Sequence, residues 1–203
     1  MNTIEAMRER HSIRKFDTDH VMPEEDLQEI LDATIEAPSS WNLQHWKFLV
    51  IQSDEKKEEL LPIAYNQKQV VDGDVTIAVL GDEQANQNAD TVFGESVELG
   101  HMTEEIKDKV VATIHGAYEN EKFGHDEALI NASLAAMQLM LAAKEKGYDS
   151  VPMGGFDASK LRENFNIPER YTPVMLVAIG KGTGEARTSP RFPLEDVVIK
   201  DSF

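Results

Sequence analysis

Residues 126–146, DEALINASLAAMQLMLAAKEK, constrain the fold more than any other part of the chain. Within it, 128–143 is apolar on nearly every side of a helix, interrupted only by Asn131, Ser133 and Gln138. That run is shorter than the ~20 residues a membrane span needs, so it reads as a helix covered by several neighbours in a globular core. Gly147 is a natural stop.

The rest of the chain supplies those neighbours. Pro23 followed by Glu24, Glu25 and Asp26 marks a helix start with Pro in the first turn and acids against the dipole. Leu27, Ile30, Leu31 and Ile35 make its apolar face, and Pro38 ends it. Another helix is expected over 103–123, with Ile106, Val110, Ile114 and Tyr118 at steps of four. Strand-like runs fall at 47–52, 75–80, 148–151 and 174–179. They are too scattered among helices for a β-sandwich and too irregular for a doubly wound sheet, which leaves an α+β fold. Neither a repeat nor a Pro- or Ser-rich linker interrupts the sequence, so 1–203 reads as a single domain.

Charge and composition exclude several functions. Lys+Arg number 20 against 37 Asp+Glu, a net charge of −17, and nucleic-acid binding relies on clustered cations. There are no cysteines, which removes disulfides, thiolate metal sites and cysteine nucleophiles. The six histidines show no paired spacing of a metal site, and neither a G-x-S-x-G elbow nor a Walker A sequence is present. Charges early in the chain break any secretory apolar run, so the expected location is cytoplasmic. The glycines of 180–184 follow a strand but lead to Pro190 and Pro193 rather than to a helix, so they read as a turn. Residues 81–102 carry five acids and no Lys or Arg. They read as a mobile excursion that is either a lid or a solvated loop.

Three segments carry candidate chemistry. Arg8, Arg10, His11, Arg14 and Lys15 form a cationic island in an acidic chain. Two guanidiniums four apart with Ser12 between them suit a phosphate monoester, although bases at a helix C-terminus also complement its dipole. The loop APSSWNLQHW, 37–46, places hydroxyls and amides beside two indoles, which suits a flat ring with polar edges; it also serves as a helix stop. In 151–157, VPMGGFD, paired glycines let backbone N–H groups approach a ligand, or make a strand-to-helix turn with Asp157 as N-cap.

In this order the pieces resemble the nitroreductase family of flavoenzymes. The resemblance covers essentially the whole chain and rests on R-x-S-x-R-x-F (Arg10, Ser12, Arg14, Phe16), the 37–46 loop, YNQKQ at 65–69, the PMGGFD turn, and Arg191-Phe192-Pro193. It implies a mostly antiparallel sheet flanked by helices, in an interlocked homodimer whose C-terminal segments, 187–203, extend over the partner and add a strand. It implies FMN at the interface, with NADH or NADPH as electron donor and nitroaromatic or quinone-type molecules as acceptors, in ping-pong order.

Carried over by resemblance, Arg10, His11, Ser12, Arg14 and Arg191 belong to the phosphate end of FMN. Pro38, Ser39, Ser40 and Asn42 would line the ring from the other subunit. Asn66 and Gln69 would bond the pyrimidine edge, with Lys68 the alternative to Gln69 because many relatives carry Lys there. Pro152, Met153, Gly154 and Gly155 would face the ring nitrogen. No side chain is assigned as acid or base. The same resemblance admits other flavoenzyme tasks, namely dehalogenation, dehydrogenation or flavin fragmentation, and a non-catalytic flavin-binding protein.

Overall fold

The computed structural model describes residues 2–184, 186 and 189–203. In chain order it contains α1 (Thr3–Glu9), α2 (Glu24–Ile35), β1 (Trp46–Ile51), α3 (Asp54–Ile63), α4 (Gln69–Asp72) and β2 (Val75–Asp82). These are followed by α5 (Ala89–Glu98), α6 (Glu104–Ala117), α7 (Glu121–Glu145), β3 (Asp149–Met153), α8 (Ala158–Asn164), β4 (Tyr171–Gly180) and α9 (Leu194–Val197). The strands form one antiparallel sheet in the order β1-β2-β4-β3.

Both faces of the sheet are covered, and strand alternation decides which residue goes where. Val75, Ile77 and Val79 of β2, with Val177 and Ile179 of β4, pack under α2 and α7. Ala78 and Leu80, with Leu176 and Ala178, join Leu60, Leu61 and Val70 of α3 and α4 on the other face. Apolar residues on both faces explain why these strands read as continuous runs. The long helix sits very close to the sheet: a β-carbon at Gly81 would lie 2.7 Å from the Ala128 carbonyl oxygen. Glycine at 81 and the small residues Ala128, Ala132, Ala135 and Ala136 permit that approach.

Several boundaries differ from expectation. Pro23 is the N-cap of α2 rather than its first residue. The helix expected over 103–123 breaks: α6 ends at Ala117, and the Asn120 side chain accepts from the Lys122 N–H to start α7. Residues 81–102 are not irregular. β2 continues to Asp82, a 3-10 turn spans Ala85–Asn88, and α5 follows. Ala85, Ala89 and Phe93 step by four and pack with Leu43 and Ile114 in a small core of their own. Arg170 fastens the start of this excursion, with its Nε donating to Asp82 Oδ1 at 2.6 Å and Nη1 to Gln87 Oε1 at 2.7 Å. α3 was not anticipated, although Ser53 capping the Lys56 N–H ahead of Asp54 and Glu55 is its signal.

Two apolar surfaces remain open. Ile130, Leu134 and Met137 on the outer side of α7 are 56%, 45% and 39% exposed, with Ile4 and Met7 of α1 also exposed. At the C-terminus, Phe192, Leu194, Val197, Val198, Ile199 and Phe203 are exposed. In the single chain this segment forms the short α9 rather than a strand; positions 187 and 188, where the expected extension begins, lie outside the described residues.

Candidate functional site

The candidate site is assembled along β3. Residues 10–16 leave α1 as extended chain and lie against this strand: Ser12 bridges Ser150 in parallel, the Ile13 N–H donates to the Ser150 carbonyl at 3.1 Å, and Phe16 bridges Gly182. Ile13 and Phe16 are buried in the core and peg the segment down. Between and before them, Arg10, His11 and Ser12 are half-buried while Arg14 and Lys15 face solvent. Among the described residues none of Arg8, Arg10, Arg14 and Lys15 forms an ion pair. In a chain with 37 acids, cations left without carboxylate partners are available to an external anion.

At its other end β3 passes through Pro152 and the buried Met153 into the exposed Gly154 and Gly155. A β-carbon at Gly154 would meet nothing within 4 Å, so the peptide there is open to close approach. Asp157 then caps α8, its carboxylate accepting from the Lys160 N–H at 3.0 Å. The 65–69 segment is tied to this turn: Gln67 Nε2 donates to the Gly155 carbonyl at 2.7 Å, and the Asp157 N–H donates to the Ile63 carbonyl at 2.9 Å. Asn66 is exposed, Lys68 is exposed, and Gln69 is half-buried at the first position of α4. Thus three of the segments singled out in the sequence meet around one strand.

The 38–42 loop stands apart from them, with no hydrogen bond to the other three segments among the described residues. A 3-10 turn spans Ser40–Asn42. Pro38 and Asn42 are exposed, while Ser39 and Ser40 are half-buried. Arg191 is also separate: it is exposed, and its Nη1 donates to its own chain's Ser189 and Pro190 carbonyls.

Backbone strain concentrates at these loops. Trp41, Asn42 and Gln44 have φ of 51°, 54° and 54°, and Tyr65 and Asn66 have 53° and 60°. Left-handed conformations are costly for residues with a β-carbon and cluster at ligand clamps. The 39–44 backbone is held by its own bonds: Ser39 Oγ accepts from the Gln44 N–H at 2.9 Å, and the Ser39 carbonyl accepts from the Asn42 N–H at 2.9 Å. Behind it, the buried His45 Nε2 lies 2.6 Å from the Tyr118 hydroxyl. Burial lowers the His45 pKa, outweighing the carboxylates of Glu127 and Asp82. Burial likewise raises that of Tyr118 well above the ordinary phenol range, so both are neutral at pH 7. The Tyr118 ring meets Phe123 edge-on at 5.4 Å, and Phe123 braces Trp41 at 6.1 Å.

Sequence reasoning missed this buried support. Asn131, whose buried Oδ1 accepts from the Ser40 N–H of the loop at 2.9 Å, was visible only as a polar interruption of an apolar helix, and that interruption was its signal. The left-handed residues carry no local signature, since only Asn among Trp41, Asn42, Gln44, Tyr65 and Asn66 tolerates that region readily.

The residues present fit a planar cofactor with an anionic tail. The unpaired guanidiniums offer charge-assisted bonds to a phosphate, and the open Gly154 peptide and the amides of Asn66 and Gln69 offer donors and acceptors to a ring edge. A description of the nitroreductase family matches residues 7–181. The chain belongs to the nitroreductase family. It is 50% identical over 196 residues to the Bacillus subtilis protein named "Putative NAD(P)H nitroreductase YodC", covering 97% of each chain. A solved Exiguobacterium sibiricum structure, titled as a putative nitroreductase in complex with FMN, superposes with a TM-score of 0.90 at 39% identity, covering 98% of this chain and 97% of that one. A Lactiplantibacillus plantarum protein named "CLA biosynthesis enone reductase" is 33% identical over 193 residues, covering 93% of this chain and 89% of that one. No helix among the described residues is long and apolar enough to cross a membrane.

Proposed function

We infer that this nitroreductase-family chain is an FMN-dependent NAD(P)H oxidoreductase that acts as a homodimer on nitroaromatic or quinone-type acceptors, donor and acceptor taking turns at one site. The observation that carries this reading is the meeting, on β3, of the unpaired Arg10 and Arg14 with the open Gly154 turn. When bound, FMN supplies hydride chemistry, accepting an electron pair from NAD(P)H and passing it to the acceptor.

The chain's own residues bind and orient. Arg10, Ser12 and Arg14 hold the phosphate, with Arg191 from one subunit or the other; His11 lies in the same strip. Asn66 and Gln69 bond the pyrimidine edge, and the Gly154 N–H, flanked by Met153 and Gly155, meets the ring. No positioned acid or base is needed for hydride transfer between stacked rings, so protein catalysis here is placement and exclusion of water. Pro38, Ser39, Ser40 and Asn42, which stand apart from the phosphate strip in one chain, reach the ring from the partner.

Three features support the dimer. The Ile130, Leu134 and Met137 stripe is an apolar face with no cover in the single chain. Among the described residues β1 pairs only with β2, leaving its outer edge free there. Beside that edge lies a cavity of about 540 Å³ whose lining includes Leu31, Ile35, Trp46, Phe48, Val50 and Val92. The exposed apolar residues of 192–203 are suited to fill such a groove on a second copy. α5 and α6 border the same region through Leu43 and form a cover over the acceptor side.

Anaerobic stopped-flow mixing with NADH and with NADPH tests the reading. The purified protein is expected to be yellow and to bleach with at least one of them. A colourless protein that takes up no added FMN overturns it. The resemblance to an enone reductase favours one further acceptor class, a carbon–carbon double bond conjugated to a carbonyl, and the same reduced protein mixed with a simple enone distinguishes the two.

A further inference from the structure

We propose that Asn131 is the positioning residue of the flavin site: its buried carboxamide fixes the Ser40 peptide and thereby the face that the 39–44 loop presents to the cofactor. The inference rests on the FMN reading above but concerns a residue that touches no ligand.

Asn131 is 1% exposed and lies in the middle of the otherwise apolar wall of α7. Its Oδ1 accepts from the Ser40 N–H at 2.9 Å, 91 residues away in sequence. Its Nδ2 donates twice to Glu127, to the carbonyl at 2.7 Å and to the carboxylate at 3.0 Å. A flipped amide would set Nδ2 against the Ser40 N–H and Oδ1 against two acceptors, so the orientation is determined by its partners. A polar group buried this deeply in an apolar helix costs stability unless every bond is made, and here the side chain satisfies both of its ends.

The consequence lies in the loop. The Ser40 N–H is committed to Asn131, the Ser40 carbonyl to the Leu43 N–H, and the Ser39 hydroxyl oxygen to the Gln44 N–H, so the groups that set the Ser40 peptide are already bonded. Among the groups this leaves for a ligand are the Ser40 hydroxyl and the Asn42 carboxamide. The direction of both depends on the Ser40 peptide plane, because the next two residues, Trp41 and Asn42, are held in left-handed conformations that relax when the anchor is lost. Glu127 links the anchor to the neighbouring support: its charge acts on both His45 and Tyr118, the pair directly behind the loop. Asn131 therefore acts on the cofactor through Ser40.

The test compares Asn131→Ala, Asn131→Asp and the milder Asn131→Ser with Leu139→Ala, a buried truncation two turns along the same helix. Three quantities are read: FMN Kd by quenching of flavin fluorescence with apoprotein, visible circular dichroism of the bound flavin, and thermal midpoint. A fourth, acrylamide quenching of Trp41 in a Trp46→Phe background, needs no cofactor. Displacing a positioned contact costs on the order of tenfold or more, so Asn131→Ala is expected to weaken FMN about tenfold and alter the dichroism, with Asn131→Ser between it and wild type and Asn131→Asp, which keeps an acceptor for the Ser40 N–H, nearest to wild type. Leu139→Ala is expected to lower the midpoint at least as far while leaving Kd and dichroism unchanged. Trp41 should become more quenchable in Asn131→Ala and Asn131→Ser but not in Leu139→Ala. Wild-type Kd and dichroism in Asn131→Ala and Asn131→Ser overturn the proposal, as does an equal change in Leu139→Ala. If wild-type apoprotein takes up no FMN, the functional reading has failed and this inference with it; a loop that loosens without moving Kd or dichroism refutes the inference alone.

Discussion

In the proposed FMN site the 39–44 loop and the 10–16 strip meet one cofactor in opposite ways. The loop is preorganised: bonds within it and to Asn131 hold its backbone, three of its residues sit in left-handed wells, and rings support it from behind. The strip is plain extended chain pegged by Ile13 and Phe16, with its cations unpaired. Shape recognition needs rigid geometry prepared in advance, whereas a phosphate is captured by charge that tolerates modest misplacement. Damage to the loop should therefore alter the cofactor's environment, and damage to the strip should alter only how tightly it is held.

The largest expected effect breaks both regions at once. Leu134→Glu places a charge in the exposed α7 stripe and should yield monomers that lose flavin, since the loop and strip come from different subunits in the proposed dimer. Sedimentation checks this; a flavin-loaded monomer would refute it. Next, Arg14→Ala removes a charge-assisted bond worth about 1.5–3 kcal/mol, a loss of roughly 10- to 100-fold in FMN affinity. The spectrum of whatever flavin remains bound should be unaltered. An Arg14→Ala protein that keeps its flavin through dilution and gel filtration contradicts the phosphate assignment.

Behind the loop, Tyr118→Phe leaves His45 Nε2 buried without its partner. It should cost about 1–3 kcal/mol in urea unfolding with little change in FMN affinity. An unchanged midpoint would show that the His45–Tyr118 contact adds nothing to the stability of the fold. The same histidine sets a pH dependence. Its folded pKa lies below the model-compound 6.5, so the unfolded chain binds the proton first. The contribution is therefore complete above pH 6.5 and is lost as pH falls from there through the folded value. His45→Gln should flatten that limb; a stability profile identical to wild type between pH 7 and 5 would count against it. The smallest effect concerns the cover. Because α5 packs on Leu43, deleting it would disturb the loop, so Asp90→Asn with Glu95→Gln is the cleaner probe. It should lower KM for anionic quinones a few-fold at low salt, an effect screened within about 8–10 Å in physiological buffer. Equal KM values for the pair and wild type would make the cover electrostatically silent.

Much of this architecture was legible in sequence because it follows periodicity. The apolar run of α7 and the four strands were visible in pattern, as were the cation strip and the Gly154–Gly155 turn in composition. α5 was hidden because Asp82, Glu83 and Asp90 dominate its surroundings, yet Ala85, Ala89 and Phe93 carried the helical step all along. The break at 118–120 was hidden for the opposite reason: Tyr118 continues the apolar period but is pulled to His45, a tertiary bond no local pattern reports. Likewise Asn131 and Ser40 are 91 residues apart, and only the fold makes them partners.

The free edge of β1 has a bearing on how the protein must be made. A row of unpaired amides and carbonyls beside an apolar groove is a template for any extended chain, and unprotected edges are where sheets aggregate. Lys47, exposed at the start of that strand, is a single gatekeeper against it. If the chain assembles as the proposed dimer, freshly folded single chains face a race between productive pairing with a second copy and disordered strand addition. Both steps are bimolecular, and at a high rate of synthesis the disordered one also recruits incompletely folded chains. Slow expression in the cold should raise soluble yield, and Lys47→Val should lower it, even though the mature assembly would hide the edge completely.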